Sequence, residues 1–155
     1  MTYKELSNRI LKELRRDGRQ SLRELAEKFD VSPTTIGKRL EKLREEGVLE
    51  GISADLNYEQ LGYNYVAVTR FKVQGDQIPK ALELLEEHSC LTNIYEITGD
   101  YDILAIGHYH GREEMNNIIK KLQGYSAIKA TNTSVVLNIF RENHPLPLEK
   151  PPADD

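Results

Sequence analysis

A chain of 155 residues with 39% hydrophobic and 30% charged residues has the composition of an ordinary folded protein, with room for one domain or two small ones. No run approaches the roughly 18 apolar residues of a membrane helix, the N-terminus lacks the apolar core of a signal peptide, and the single cysteine, Cys90, excludes an intramolecular disulfide. A cytoplasmic protein is the expectation. The net charge of -4 is unevenly spread: residues 1–50 hold 12 Lys+Arg and 10 Asp+Glu, leaving 9 and 15 for the rest, so any contact with phosphate belongs to the N-terminal third.

The first 50 residues read as three short helices. Leu6, Ile10 and Leu14 recur at helical spacing ahead of Arg15-Arg16-Asp17-Gly18, which supplies cations and a glycine stop at a helix end. A second helix opens on Ser21 with Glu24 three residues later, a capping box, followed by the stripe Leu22, Leu25, Ala26, Phe29. A third has Ser32 as N-cap, Pro33 in its first turn and a Val31–Ile36 staple, and runs to Gly47 with Ile36, Leu40 and Leu43 on one face. Two helices separated by Asp30-Val31-Ser32 are the arithmetic of a helix-turn-helix, here expected as a three-helix, winged form over 1–50.

After Gly47, Val48–Asp55 reads as a short strand, and residues 51–62 as a connecting strand and linker. The remainder, 63–142, has the order strand, helix, strand, strand, helix, strand. Its elements are Tyr63–Gln74, a helical stripe Ile78, Ala81, Leu82, Leu85 opened by Pro79, Asn93–Thr98 and Tyr101–Tyr109 joined tightly at Gly99-Asp100, a second stripe Met115, Ile118, Ile119, Leu122, and Thr131–Phe140. This βαββαβ order predicts an α+β fold, with a ferredoxin-like α/β sandwich following the helix-turn-helix. The tail 143–155, with Pro145, Pro147, Pro151 and Pro152, is expected to be disordered.

Two features point to function. The strands are apolar on both faces: Val66 and Val68 oppose Tyr65, Ala67 and Phe71, while Leu104 and Ile106 oppose Ile103 and Ala105; Val135, Leu137 and Ile139 likewise oppose Val136 and Phe140. One face belongs to the two helices and the other asks for a second copy of the chain, a dimer able to read two half-sites about one helical turn of DNA apart. On the third helix, the side away from Ile36, Leu40 and Leu43 carries Thr34, Lys38, Glu41 and Glu45, flanked by Thr35 and Lys42, so the N-terminal half is uncharged or basic. Hydroxyls and lysine there suit base edges in a major groove, Gly37 permits close approach, and Arg39, Ser32 and Ser21 suit phosphate, as do Arg15, Arg16 and Arg19.

The stretches DGRQSLRELAEKFDVSPTTIGKRLEKLREEGVLEGISADL, LGYNYVAVTRFKV, IYEITGDYDILA and ATNTSVVL resemble the Lrp/AsnC (feast/famine) family of bacterial and archaeal regulators in order and spacing over roughly residues 3 to 142. The resemblance implies a non-enzymatic transcriptional regulator that binds a pseudo-palindromic double-stranded operator and is a homodimer or a larger tetramer or octamer. It also implies an effector, usually an amino acid, near the hairpin: Thr98, Gly99, Asp100, Tyr101 and Asp102, with Thr131 and Thr133 on the last strand. No cofactor or metal is expected. Alternative readings are a subunit resembling siroheme decarboxylase, for which His108 and His110 would share a strand face, and a ligand-independent architectural DNA-binding protein.

Overall fold

In the computed structural model, which describes residues 3–148, the chain divides into two compact units. The first runs up to Asp55 and takes back the segment from Asn143, and the second is Leu56–Glu142. Among the described residues no helix is long and apolar enough to cross a membrane.

The first unit consists of α1 (Tyr3–Arg16), α2 (Leu22–Phe29) and α3 (Pro33–Glu45). Most of the helical-period apolar residues form its core: Leu6, Ile10, Leu14, Leu25, Ala26, Phe29, Ile36 and Leu40 pack in one cluster, with Val31 and Leu49 against it, whereas Leu22, at the start of the α2 stripe, is 43% exposed. Burying a side chain such as Ile36, which is fully inaccessible, is worth about 1.5–3 kcal/mol, and this repeats across a short unit. Both predicted caps are present. Ser21 accepts from the Glu24 N–H while its own N–H donates to the Glu24 carboxylate at 2.6 Å, and the Ser32 hydroxyl accepts from the Thr35 N–H at 3.1 Å.

The strand expected over Val48–Asp55 does not form. A strand needs a partner for its ladder, and this single chain offers none there; Val48, Ile52 and Leu56 remain exposed.

The second unit is a four-stranded antiparallel sheet, β1 (Tyr65–Val73), β2 (Leu91–Glu96), β3 (Ile103–Tyr109) and β4 (Ile128–Val135), in the order β2-β3-β1-β4, with α4 (Ile78–Glu86) and α5 (Arg112–Gln123). Along β1 the buried residues alternate as Ala67, Thr69, Phe71 and Val73. Ala67, Phe71 and Val73 join Ile103, Ala105 and Tyr109 of β3, Ala81 and Leu85 of α4, and Met115, Ile119 and Leu122 of α5 in one core. The other face presents Val66, Val68, Leu104 and Ile106, with Val68 paired to Ile106 at its centre.

Two strand boundaries differ from expectation. The last strand starts and ends earlier than 131–140, because the polar run Thr131 to Ser134 pairs with β1 while Leu137 and Phe140 stay 89% and 96% exposed. The hairpin strands end at Glu96 and resume at Ile103, so Thr98 lies off the strand and the connection spans residues 97–102 instead of a tight two-residue turn.

Candidate nucleic-acid interface and effector hairpin

The turn between α2 and α3 is set by Asp30, whose left-handed backbone (φ 55°) lets its N–H donate to the carbonyls of Ala26 and Glu27. An aspartate tolerates this conformation better than most residues. The Val31 N–H adds a bond to the Ala26 carbonyl at 3.0 Å, and Ser32 then starts α3. The N-terminal end of α3 is thereby held with Thr34 and Lys38 exposed and Ile36 and Leu40 turned into the core.

The candidate contacts do not all have equal freedom. Ser32 and Thr35 are engaged with each other, their hydroxyl oxygens 2.8 Å apart, and Ser21 is occupied by its capping box. Lys42 is exposed and pairs with Glu46 at 3.6 Å, a solvated helix-face pair of small energetic weight. Arg39 is half-buried on the flank of the helix. At Gly37 an added Cβ would lie 3.6 Å from the Leu22 side chain, an ordinary van der Waals contact, so the packing of α2 on α3 does not itself require a glycine there. Thr34 and Lys38 are the most open members of the set.

Behind this surface Glu13 gathers cations: Lys28 at 2.5 Å and Arg16 at 3.1 Å. The hydrogen bond from Lys28 leads the causes that hold the Glu13 carboxyl below its usual range. Arg9 stacks over the Phe29 ring at 4.8 Å.

The hairpin region separates into fixed and open residues. Asp102 is fixed: its carboxylate accepts from the Val73 N–H at 2.8 Å and faces the Lys72 ammonium at 3.4 Å, and its own N–H donates to the Phe71 carbonyl at 3.0 Å. The Val73 N–H, ahead of Lys72, keeps the Asp102 carboxyl below the ordinary carboxylate range. Thr131 accepts from the Gln123 amide at 2.6 Å, and Thr133 lies 3.1 Å from Thr69, so both hydroxyls already have partners. Thr98, Gly99 and Asp100 form the open tip, with Tyr101 half-buried beside them. Gly99 has φ 112°, a backbone that a side chain would strain, and nothing lies within 4 Å of where its Cβ would be.

A cluster in the second unit has no counterpart in the sequence reading. Tyr63 stacks on His110 at 4.2 Å, the Tyr58 ring lies 5.6 Å from that of His108, and the Gly62 carbonyl is 3.1 Å from His110 Nδ1. His108 is 6% exposed on β3, with Nε2 3.6 Å from the Glu142 carboxylate. His110 lies beyond the end of β3 and is exposed, so the two histidines do not share a strand face. Only the spacing of tyrosines from 58 to 65 hints at this cluster in the sequence, and it carries no helical or strand period.

Comparison with known proteins matches both units. Residues 2–50 match the family described as winged helix-turn-helix DNA-binding, and residues 66–146 match the Lrp/AsnC ligand binding domain. An uncharacterized HTH-type transcriptional regulator of Pyrococcus furiosus is 37% identical over 143 residues, covering 92% of this chain and 97% of the relative. Among solved structures, Escherichia coli AsnC superposes with a TM-score of 0.83 at 30% identity, covering 91% of this chain and 96% of that one. A transcriptional regulator from Neisseria meningitidis in complex with L-methionine shares the fold, with a TM-score of 0.82 at 21% identity over 92% and 95% of the two chains.

Proposed function

The chain belongs to the Lrp/AsnC family of DNA-binding transcriptional regulators, and from that premise we propose that it acts as a homodimer or larger assembly on a pseudo-palindromic operator, adjusted by an amino-acid effector. The observation that carries the DNA half is the capped N-terminal end of α3, where Thr34 and Lys38 are exposed on the side away from Ile36, Leu40 and Leu43. Entry of that end into a major groove would bring a hydroxyl and an ammonium to base edges while the glutamates of the last turns stay clear of phosphate. Binding-site selection from random duplexes would supply the operator. Lys38→Glu should then weaken its binding by about 1–3 kcal/mol, roughly 5- to 150-fold, and flatten the dependence of affinity on salt. Unchanged affinity together with an unchanged salt slope would remove α3 from the interface.

The effector half is supported by the open tip Thr98-Gly99-Asp100, next to residues that Asp102 holds in place. In this reading the Asp100 carboxylate meets the ligand's ammonium, and backbone N–H groups meet its carboxylate. Asp102, Thr131 and Thr133 would shape the site through the partners they already hold. Titration calorimetry with each of the twenty amino acids, repeated on Asp100→Asn, tests this: at least one should give heat that the variant loses. A flat series with no change in assembly would leave a regulator that answers to DNA alone. A cytoplasmic location follows from that role.

A further inference from the structure

Within the second unit, the side of the sheet that carries no helix is sorted by charge along the strands. Directly paired residues point the same way, so the register sets Val66 beside His108, Val68 beside Ile106 and Arg70 beside Leu104 on that side. Their neighbours Ala67, Phe71, Ala105 and Tyr109 point the other way, into the helix-packed core. On the outer strands Tyr95 pairs with Leu104, and Asn132 with Arg70. The middle of the open side is therefore apolar. Val68 and Ile106 lie side by side there, with Val66 beyond them toward one end and Leu104 toward the other.

The two ends carry opposite charge. At the hairpin end Lys72 is already matched by Asp102 at 3.4 Å, which leaves Arg70. Arg70 is half-buried, donates to the neutral side-chain oxygen of Asn132 at 3.0 Å, and pairs with no carboxylate among the described residues. At the other end the Glu142 carboxylate stands 3.6 Å from Nε2 of His108, beyond good hydrogen-bonding distance, with its side chain 39% exposed. Glu59 adds a second acid there, in the wall of a hollow that Val66 also lines. From the Arg70 row to the His108 row is four residues of strand, about 13 Å.

We propose that a second copy of this chain covers this side with its strands reversed, turned about a twofold axis at the Val68–Ile106 row, so that Arg70 of each copy meets the partner's Glu142. Sheets that stack face to face keep their strands nearly aligned, so the two copies have two ways to lie. A half-turn about an axis across the strands lays the apolar middle on itself and each Arg70 end on a Glu142 end. A half-turn about an axis along the strands would lay Arg70 on Arg70 at a desolvated face, where like charges cost most. The guanidinium fork also suits a carboxylate better than the single amide oxygen it holds within the chain. The inference rests on the homodimer reading and adds to it the orientation and the pair that selects it. A related chain with other charges at these two positions would be rejected.

Sedimentation velocity on the whole chain tests this with Arg70→Glu and Glu142→Arg, each alone and the two mixed in equal amounts. Either variant alone sets like charge against like at both contacts and should weaken self-association at least about tenfold, with circular dichroism like the parent's. The mixture brings opposite charges together at both contacts and should associate within about threefold of the parent. Single variants that associate as the parent does, or a mixture no tighter than the variants alone, would overturn the pairing. An Arg70→Glu chain that binds the parent more tightly than the parent binds itself would overturn it too, as the mark of copies stacked with like ends together. A parent that is a monomer at micromolar concentration removes the homodimer reading and this inference with it, whereas a dimeric parent with an unrescued mixture removes this inference alone.

Discussion

Asp102 shows how a residue whose chemistry suits a ligand can be committed elsewhere. Its carboxylate holds the Val73 N–H and the Lys72 ammonium, and its backbone continues the bonding between the hairpin and β1. The folded state therefore favours the ionised form, and the carboxyl lies below its ordinary range. A depressed carboxyl contributes stability that is fully present above the unfolded value, near 3.9, and is lost as pH falls through the folded value. Asp102→Asn keeps an acceptor for Val73 but loses the charge facing Lys72. Its stability deficit against the parent should be largest above pH 5 and close as pH falls below 3, as read by urea unfolding at a series of pH values. A deficit constant with pH would mean that the charge does not matter. Ser21 and Ser32 are simpler cases: their roles as caps follow from sequence spacing because cap, turn and first helical residue are neighbours along the chain.

Among the elements, β3 is one of the two inner strands of the sheet, pairing with both β1 and β2, and it ends in the fully buried Tyr109. Burial pushes the Tyr109 hydroxyl well above the ordinary tyrosine range. Its ring occupies the space a side chain at Gly107 would need, for a Cβ there would lie 2.2 Å from the Tyr109 oxygen. Gly107→Ala should cost about 1–3 kcal/mol by forcing the ring or strand to shift, measurable as a lower urea midpoint, and Tyr109→Phe in the same chain should relieve part of it. Additive costs for the two changes would separate the glycine from the ring. Sequence periodicity locates β3 but not this pairing: residues 107 and 109 lie on one face, and only the packed ring shows that the glycine makes room for it.

For the whole molecule, the helix-free face of the sheet is the surface on which the proposed assembly rests. Val66, Val68, Leu104 and Ile106 are half-buried there, although α4 and α5 pack on the other side. If this face joins two copies, Ile106→Glu should yield a folded monomer by sedimentation velocity, with far-ultraviolet circular dichroism like the parent's and weakened operator binding. A parent that sediments as a monomer at micromolar concentration would dispose of the dimer.

The sequence alone determined the three helices, their caps, the βαββαβ order and the two-sided apolar character of the strands. Each depends on residues a few positions apart, where propensity and periodicity act directly. Features that depend on a partner distant in the chain were decided by tertiary structure. Val48–Asp55 has strand-like residues but no ladder within this chain, β4 is drawn to Ile128–Val135 by pairing with β1 instead of by the apolar run after it, and Asp102 is claimed by β1. The tail is the clearest case. By composition it cannot form a core of its own, so sequence reasoning leaves 143–155 disordered; within the described part, 143–148, the Leu146 carbonyl accepts a hydrogen bond from Arg15, a partner 131 residues away, while residues 149–155 lie outside the described residues.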